Sequence, residues 1–100
     1  MVTEGELKRW IIDALGEIKE AEPASYQGIE ITDQTAVVGA DSPFDSVAFS
    51  MFAADIEERI EERTGLEYVI QVDELYRLHG KNAPLLVADM ARLISESLAA

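Results

Sequence analysis

Two serines, one histidine and several carboxylate pairs are the side chains of this sequence that invite a chemical reading, and cysteine is absent. Without a thiol there is no cysteine nucleophile, no thiolate metal site and no disulfide framework. His79 stands alone. A serine hydrolase would also need an elbow such as G-x-S-x-G, which the chain lacks, so His79 is expected to be a surface-loop residue. Asp41, Pro43, Asp45, Val47, Phe49 and Phe52 fall at the ligand spacings of a calcium loop, but the last position lacks its bidentate Glu, and no metal site is expected. The pairs Glu57/Glu58 and Glu61/Glu62 could do acid/base work only in a cleft that shifts their pKa values. They lie opposite an apolar stripe and read as a solvated face. The serines remain: Ser42 in GADS and Ser46 in FDS, both just ahead of an amphipathic segment. A hydroxyl in the first turn of a helix is expected to be exposed, and an anion formed on it would sit near the positive end of the helix dipole. Asp45 opposes that anion with its own charge. The plain structural alternative is that either serine only caps the helix.

The elements that must position these serines are legible from periodicity. Thr3 and Glu6 form a capping box, and Val2 with Leu7 a hydrophobic staple, which starts a first helix. Leu7, Ile11, Ala14, Leu15 and Ile18 continue it as one apolar face, and Pro23 stops it. From Ala21 to Phe44 the pattern fails, because Pro23, Gly28, Gly39 and Pro43 punctuate short apolar pieces such as Val37 and Val38. A long loop is expected there; a loop of that length in a small domain either counts against the assignment or indicates function, and the functional option is taken. A second helix follows, from about Pro43 or Asp45 to Arg63, with Phe49, Phe52, Ala53, Ile56 and Ile60 as its core stripe and Gly65 as its stop. Leu66 to Ile70 form an extended connection, and Asp73 to Leu78 a short helix ending at His79 and Gly80. Asn82 is expected to cap the last helix, with Ala83 and Pro84 in its first turn and Val87, Met90, Ala91, Ile94 and Leu98 facing inward. Three long helices, one short helix and a long first loop predict an all-α fold, a small four-helix bundle.

Composition narrows the setting. One hundred residues, 48% of them hydrophobic, suffice for a single domain spanning 1–100, and no internal repeat interrupts it. Twenty acidic against eight basic residues give a formal net charge of −12, which repels nucleic acid and anionic lipid surfaces and favours basic protein partners. The opening MVTEGELKRW lacks the apolar run of a signal peptide, and no stretch is long enough to span a membrane. A monomeric cytoplasmic protein is the expectation.

The segment VVGADSPFDSVAFSMFAADIEERI, residues 37 to 60, resembles the phosphopantetheine attachment region of acyl carrier proteins. In that family an Asp-Ser-Leu motif opens an acidic amphipathic helix, and the serine is followed ten residues later by an apolar core position and then by paired acids. Ser46 meets that spacing with Ile56, Glu57 and Glu58; Ser42 misses it and is followed by Pro43. Val47 stands where the family usually has Leu, and Met51 where many carriers have an acidic residue, which bears on which enzymes recognise the helix. The long first loop, the short third helix and the closing LLVADMARLISESL are similar to the same fold.

The resemblance implies a non-catalytic carrier. Ser46 would be the attachment point of a 4'-phosphopantetheine arm derived from coenzyme A, with Asp45 beside it and a divalent cation brought by the phosphopantetheinyl transferase. The arm supplies the thiol, so acyl intermediates of fatty acid, polyketide or related biosynthesis travel as thioesters without any cysteine in the chain. Acyl-loading and acyl-transferring enzymes would be the further partners. Helical geometry gathers Val47, Met51, Ala54, Glu58 and Glu62 on one side of the second helix, rimmed also by Asp55, and this is the expected docking face for basic partner surfaces. Met51 could instead widen the core stripe, as methionine fills gaps readily. Two other readings of function stand beside the acyl carrier: a peptidyl or aminoacyl carrier, and an unmodified acidic helical interaction module. An enzyme acting through its own side chains is the third class.

Overall fold

The computed structural model describes residues 2–38, 42–71 and 84–99. The chain enters through Val2, which is buried, and Thr3, whose Oγ1 accepts the Glu6 N–H at 3.1 Å and caps α1 (Glu4–Ala21). Both residues of the expected staple, Val2 and Leu7, are buried in the core. Leu7, Ile11, Ala14, Leu15 and Ile18 are the inward face of α1. Beyond Glu22 the chain turns through residues 23–28, where Gly28 takes a positive φ of 79°, a conformation that side chains with a Cβ rarely adopt. Lys19 Nζ donates to the carbonyl of Ile29 and ties this turn back to the helix.

The expected long loop is partly a strand. Residues Ala36–Val38 form β1, which pairs antiparallel with β2 (Leu85–Leu86), with an irregularity in register between Ala36 and Val38. Val37 is buried and half-buried Val38 packs against the core, so two adjacent β-branched residues meet the demands of a short pleated segment. Pairing with a strand almost 50 residues away is what a local reading cannot supply.

Helix α2 (Ser46–Thr64) matches the predicted stripe: Phe52, Ala53, Ile56 and Ile60 are buried, and half-buried Phe49 meets Phe52 edge-on at 4.9 Å. It ends where expected. Gly65 takes φ 75° and its N–H donates to the Glu61 carbonyl at 2.7 Å, a left-handed C-cap.

The last helix, α3 (Val87–Ala99), starts later than its sequence suggests. Pro84 stands ahead of β2 rather than in a helical first turn, and Leu85 and Leu86 belong to the strand. Carbonyls of the first loop then take the helix's leading amides: Val87 N–H donates to Thr35 O and Ala88 N–H to Asp33 O, both at 2.9 Å. Asp89 reaches back to accept the Leu86 N–H at 3.2 Å. The predicted cap Asn82, Ala83, the short helix of Asp73 to Leu78 and His79 lie outside the described residues.

Among the described residues the architecture is mostly helical, three helices with one two-stranded ribbon, and the short helix that would complete the expected four-helix bundle lies outside the described residues. One core joins them: Leu7, Ile11 and Leu15 of α1, Phe52, Ile56 and Ile60 of α2, and Val87, Met90 and Ile94 of α3. No helix among the described residues is long and apolar enough to cross a membrane.

Candidate functional site

The start of α2 separates the two serines. Asp45 is the N-cap: its Oδ1 accepts the Ala48 N–H at 2.8 Å, and its carbonyl accepts the Phe49 N–H at 2.9 Å, so Ser46 is the first helical residue. Only the backbone of Ser46 is described. Ser42 has a different task, because its Oγ accepts the Phe44 N–H at 3.1 Å and donates to the Phe44 carbonyl at 3.4 Å. This serine turn directs Phe44 into the core, where its ring lies 5.2 Å from that of Tyr26.

On α2 the chain exposes an apolar pair immediately after position 46. Val47 is 67% exposed and Met51 56% exposed, so Met51 lies outside the core stripe. Ala54, Glu58 and Glu62 are also exposed and continue the same side of the helix. Asp55 differs from them. It is half-buried and its Oδ2 lies 3.3 Å from Arg59 Nε, while Arg59 also reaches Glu17 at 3.5 Å and Asp13 at 4.0 Å on α1. Asp55 thus belongs to a charge network that joins α1 to α2. Arg63 adds a second link, to Glu6 at 3.2 Å.

Of the carboxylate pairs read as a solvated face, Glu58, Glu61 and Glu62 are exposed, whereas Glu57 is half-buried and accepts the Ile70 N–H at 2.7 Å. The correction has a simple cause. The extended connection after Gly65 folds back along α2 and brings an unpaired backbone amide that needs an acceptor. Tyr68 and Ile70 pack on the core through this return, while Leu66 and Val69 point to solvent.

Between the last turn of α1, the turn after it and the first turns of α2 lies a cavity of about 80 Å³. Ile18, Tyr26, Val47 and Met51 give it apolar walls, and Glu22 and Asp45 give it carboxylates. Tyr26 is 5% exposed. Burial, and then the neighbouring charges of Asp45 and Glu22, push the phenol's pKa above the ordinary 10.0. Periodicity does not single out Tyr26; its only signal in the sequence is an aromatic residue set between Pro23 and Gly28.

A larger and shallower groove, about 690 Å³, follows the outer side of α1 past Asp13, Gly16, Glu20 and Arg59. Among the described residues no group of three His, Asp or Glu side chains could hold a metal ion. Compared with models of protein families, with curated proteins and with solved structures, the chain matches none.

Proposed function

We propose that the chain is a discrete acyl carrier: a non-catalytic protein that presents acyl groups on a 4'-phosphopantetheine arm attached to Ser46. The observation that carries this reading is the start of α2 at Ser46, directly after the Asp45 cap, while the hydroxyl of the competing Ser42 is engaged in its own turn. The residues fit the group. A phosphodiester at the first helical position would face the positive end of α2, and the cavity next to it offers polar groups of Tyr26, Glu22 and Asp45 that can exchange hydrogen bonds with the arm. When bound, the arm supplies the thiol that carries acyl groups as thioesters. The reading carries with it the finer fold expectation of a small four-helix bundle of the acyl-carrier kind, and a cytoplasmic monomer.

Attachment uses one group of this chain. The Ser46 hydroxyl oxygen forms a bond to the β-phosphorus of coenzyme A, the bond from that phosphorus to the adenosine bisphosphate oxygen breaks, and the hydroxyl proton passes to a base of the transferase. Asp45 holds the helix start through its cap, and its charge beside the new phosphodiester would be offset by the divalent cation that the resemblance assigns to the transferase. Val47, Met51 and Ala54, with Glu58 and Glu62 at the rim, would form the face on which the transferase and the acyl-handling enzymes dock through basic surfaces, while Asp55 is held by Arg59. The rim charges act mainly by speeding encounter, and the exposed Val47 and Met51 give apolar anchoring.

Intact-mass measurement after incubation with coenzyme A and a promiscuous phosphopantetheinyl transferase tests the reading. The expected result is the mass of one phosphopantetheine on the wild type and on Ser42→Ala, and none on Ser46→Ala. An unchanged wild-type mass would favour the unmodified interaction module, for which the same exposed face of α2 is the motivating feature. A peptidyl or aminoacyl carrier would gain the same mass and differ in the enzyme that loads it.

A further inference from the structure

The cavity between α1 and α2 adjoins the attachment position, because Asp45 and Val47, the residues on either side of Ser46, both line it. An arm leaving the chain at Ser46 therefore starts at the cavity's rim. We propose that the cavity docks the proximal part of that arm, its gem-dimethyl carbon against Ile18, Val47 and Met51 and its hydroxyl and first amide against Tyr26, Glu22 and Asp45. This inference rests on the carrier reading above.

Three features argue for this occupant. The volume of about 80 Å³ suits a branched group of a few heavy atoms and is too small for a long acyl chain, so the reactive end of the arm stays outside and available to enzymes. The walls are divided: apolar side chains on one part, and on the other two carboxylates, Glu22 and Asp45, with the phenol of Tyr26 beside them. A neutral segment that bears a hydroxyl, an amide N–H and an amide carbonyl can donate to the carboxylates and accept from the phenol. The phosphodiester itself is repelled by Glu22 and Asp45 and stays at the rim, toward the N-terminal amides of α2. The phenol is a donor at neutral pH, and burial, then the charges of Asp45 and Glu22, push its ionisation to still higher pH.

Docking would also have a consequence for recognition. Met51 belongs both to the cavity wall and to the exposed face of α2. The modified and unmodified proteins would then present different surfaces at the centre of the docking face.

The test is nuclear magnetic resonance on the full chain, before and after modification, with the extent of modification read by intact mass. Docking is expected to give nuclear Overhauser contacts from the gem-dimethyl protons to the Met51 and Val47 methyl groups, together with shifts of the Tyr26 ring signals. Complete mass gain without those contacts and shifts, or with contacts to another part of the surface, would overturn the docking and leave the carrier reading intact. Absence of any mass gain would overturn both. Tyr26 shifts that also arise in Ser46→Ala treated with coenzyme A and transferase would mean that covalent attachment is not their source, and would overturn the proposal as well.

Discussion

Met51 shows at the scale of one residue how exposure assigns a task. A methionine 56% exposed on a helix between a buried alanine at 48 and a buried phenylalanine at 52 contributes little to the core. Met51→Glu is therefore expected to change stability by no more than about 0.5 kcal/mol, the usual range for surface positions, whereas Phe52→Ala should cost about 3–5 kcal/mol as a large core truncation. Urea denaturation of the two variants checks this, and a loss of several kcal/mol in Met51→Glu would place that side chain in the core. Tyr26 yields a second expectation, in pH. Its folded-state pKa lies above the unfolded value of about 10, so above pH 10 the unfolded chain releases this proton while the folded chain keeps it. Stability is then fully present below pH 10 and falls as pH rises toward the folded pKa. Tyr26→Phe should lose stability less steeply over that alkaline range; parallel pH profiles for the two proteins would contradict the shift.

At the scale of elements, α2 is fixed at both ends and along one side. Asp45 caps its start, Gly65 ends it in the left-handed conformation, and Glu57 fastens the returning chain through Ile70. The last of these is the most exposed to test. A hydrogen bond to a charged acceptor is worth about 1.5–3 kcal/mol net, so Glu57→Ala should raise amide exchange at Ile70 about tenfold or more while α2 stays helical by circular dichroism. Unaltered exchange at Ile70 would mean that the connection is held by Tyr68 and Ile70 packing alone. The ribbon of β1 and β2 plays the matching part for α3, since the loop that carries β1 also lends the carbonyls of Asp33 and Thr35 to the helix start.

For the whole molecule, charge is the dominant collective term. A net charge of −12 on 100 residues places the folded state under self-repulsion, and the described basic side chains answer it locally. Arg59 and Arg63 bind α1 to α2, and Arg92 bridges Asp89 and Glu96 along α3. These exposed or half-exposed pairs are each worth little. Higher ionic strength weakens them and the general repulsion together, and with acids outnumbering bases 20 to 8 the repulsion is the larger effect. Thermal unfolding of the unmodified protein should thus shift upward with salt or with millimolar magnesium or calcium. A melting temperature indifferent to both would show that repulsion does not limit stability.

Local chemistry and periodicity determine much of this chain. The Thr3 cap, the inward stripes of α1 and α2 and the Gly65 stop depend on residues within a few positions of one another, and each is written in the order of side chains. The same holds for the solvent-facing side of α2, which follows from a helix of known register with Phe52, Ile56 and Ile60 turned inward. What tertiary structure decided are the partnerships across long separations. Val37 and Val38 become a strand only because Leu85 and Leu86 come beside them, and α3 starts at Val87 only because loop carbonyls reach its amides. Glu57 leaves the solvated face because Ile70 returns to it, and Asp55 leaves the rim of that face because Arg59 gathers it with Asp13 and Glu17. The cavity beside Ser46 has the same origin: Ile18 and Tyr26 are more than twenty residues from Val47 and Met51 in every pairing, and only the packing of α1 and the turn after it on α2 brings their surfaces together. Periodicity reports which side of an element is apolar, and the polar groups that meet across elements depend on distances that no local pattern contains.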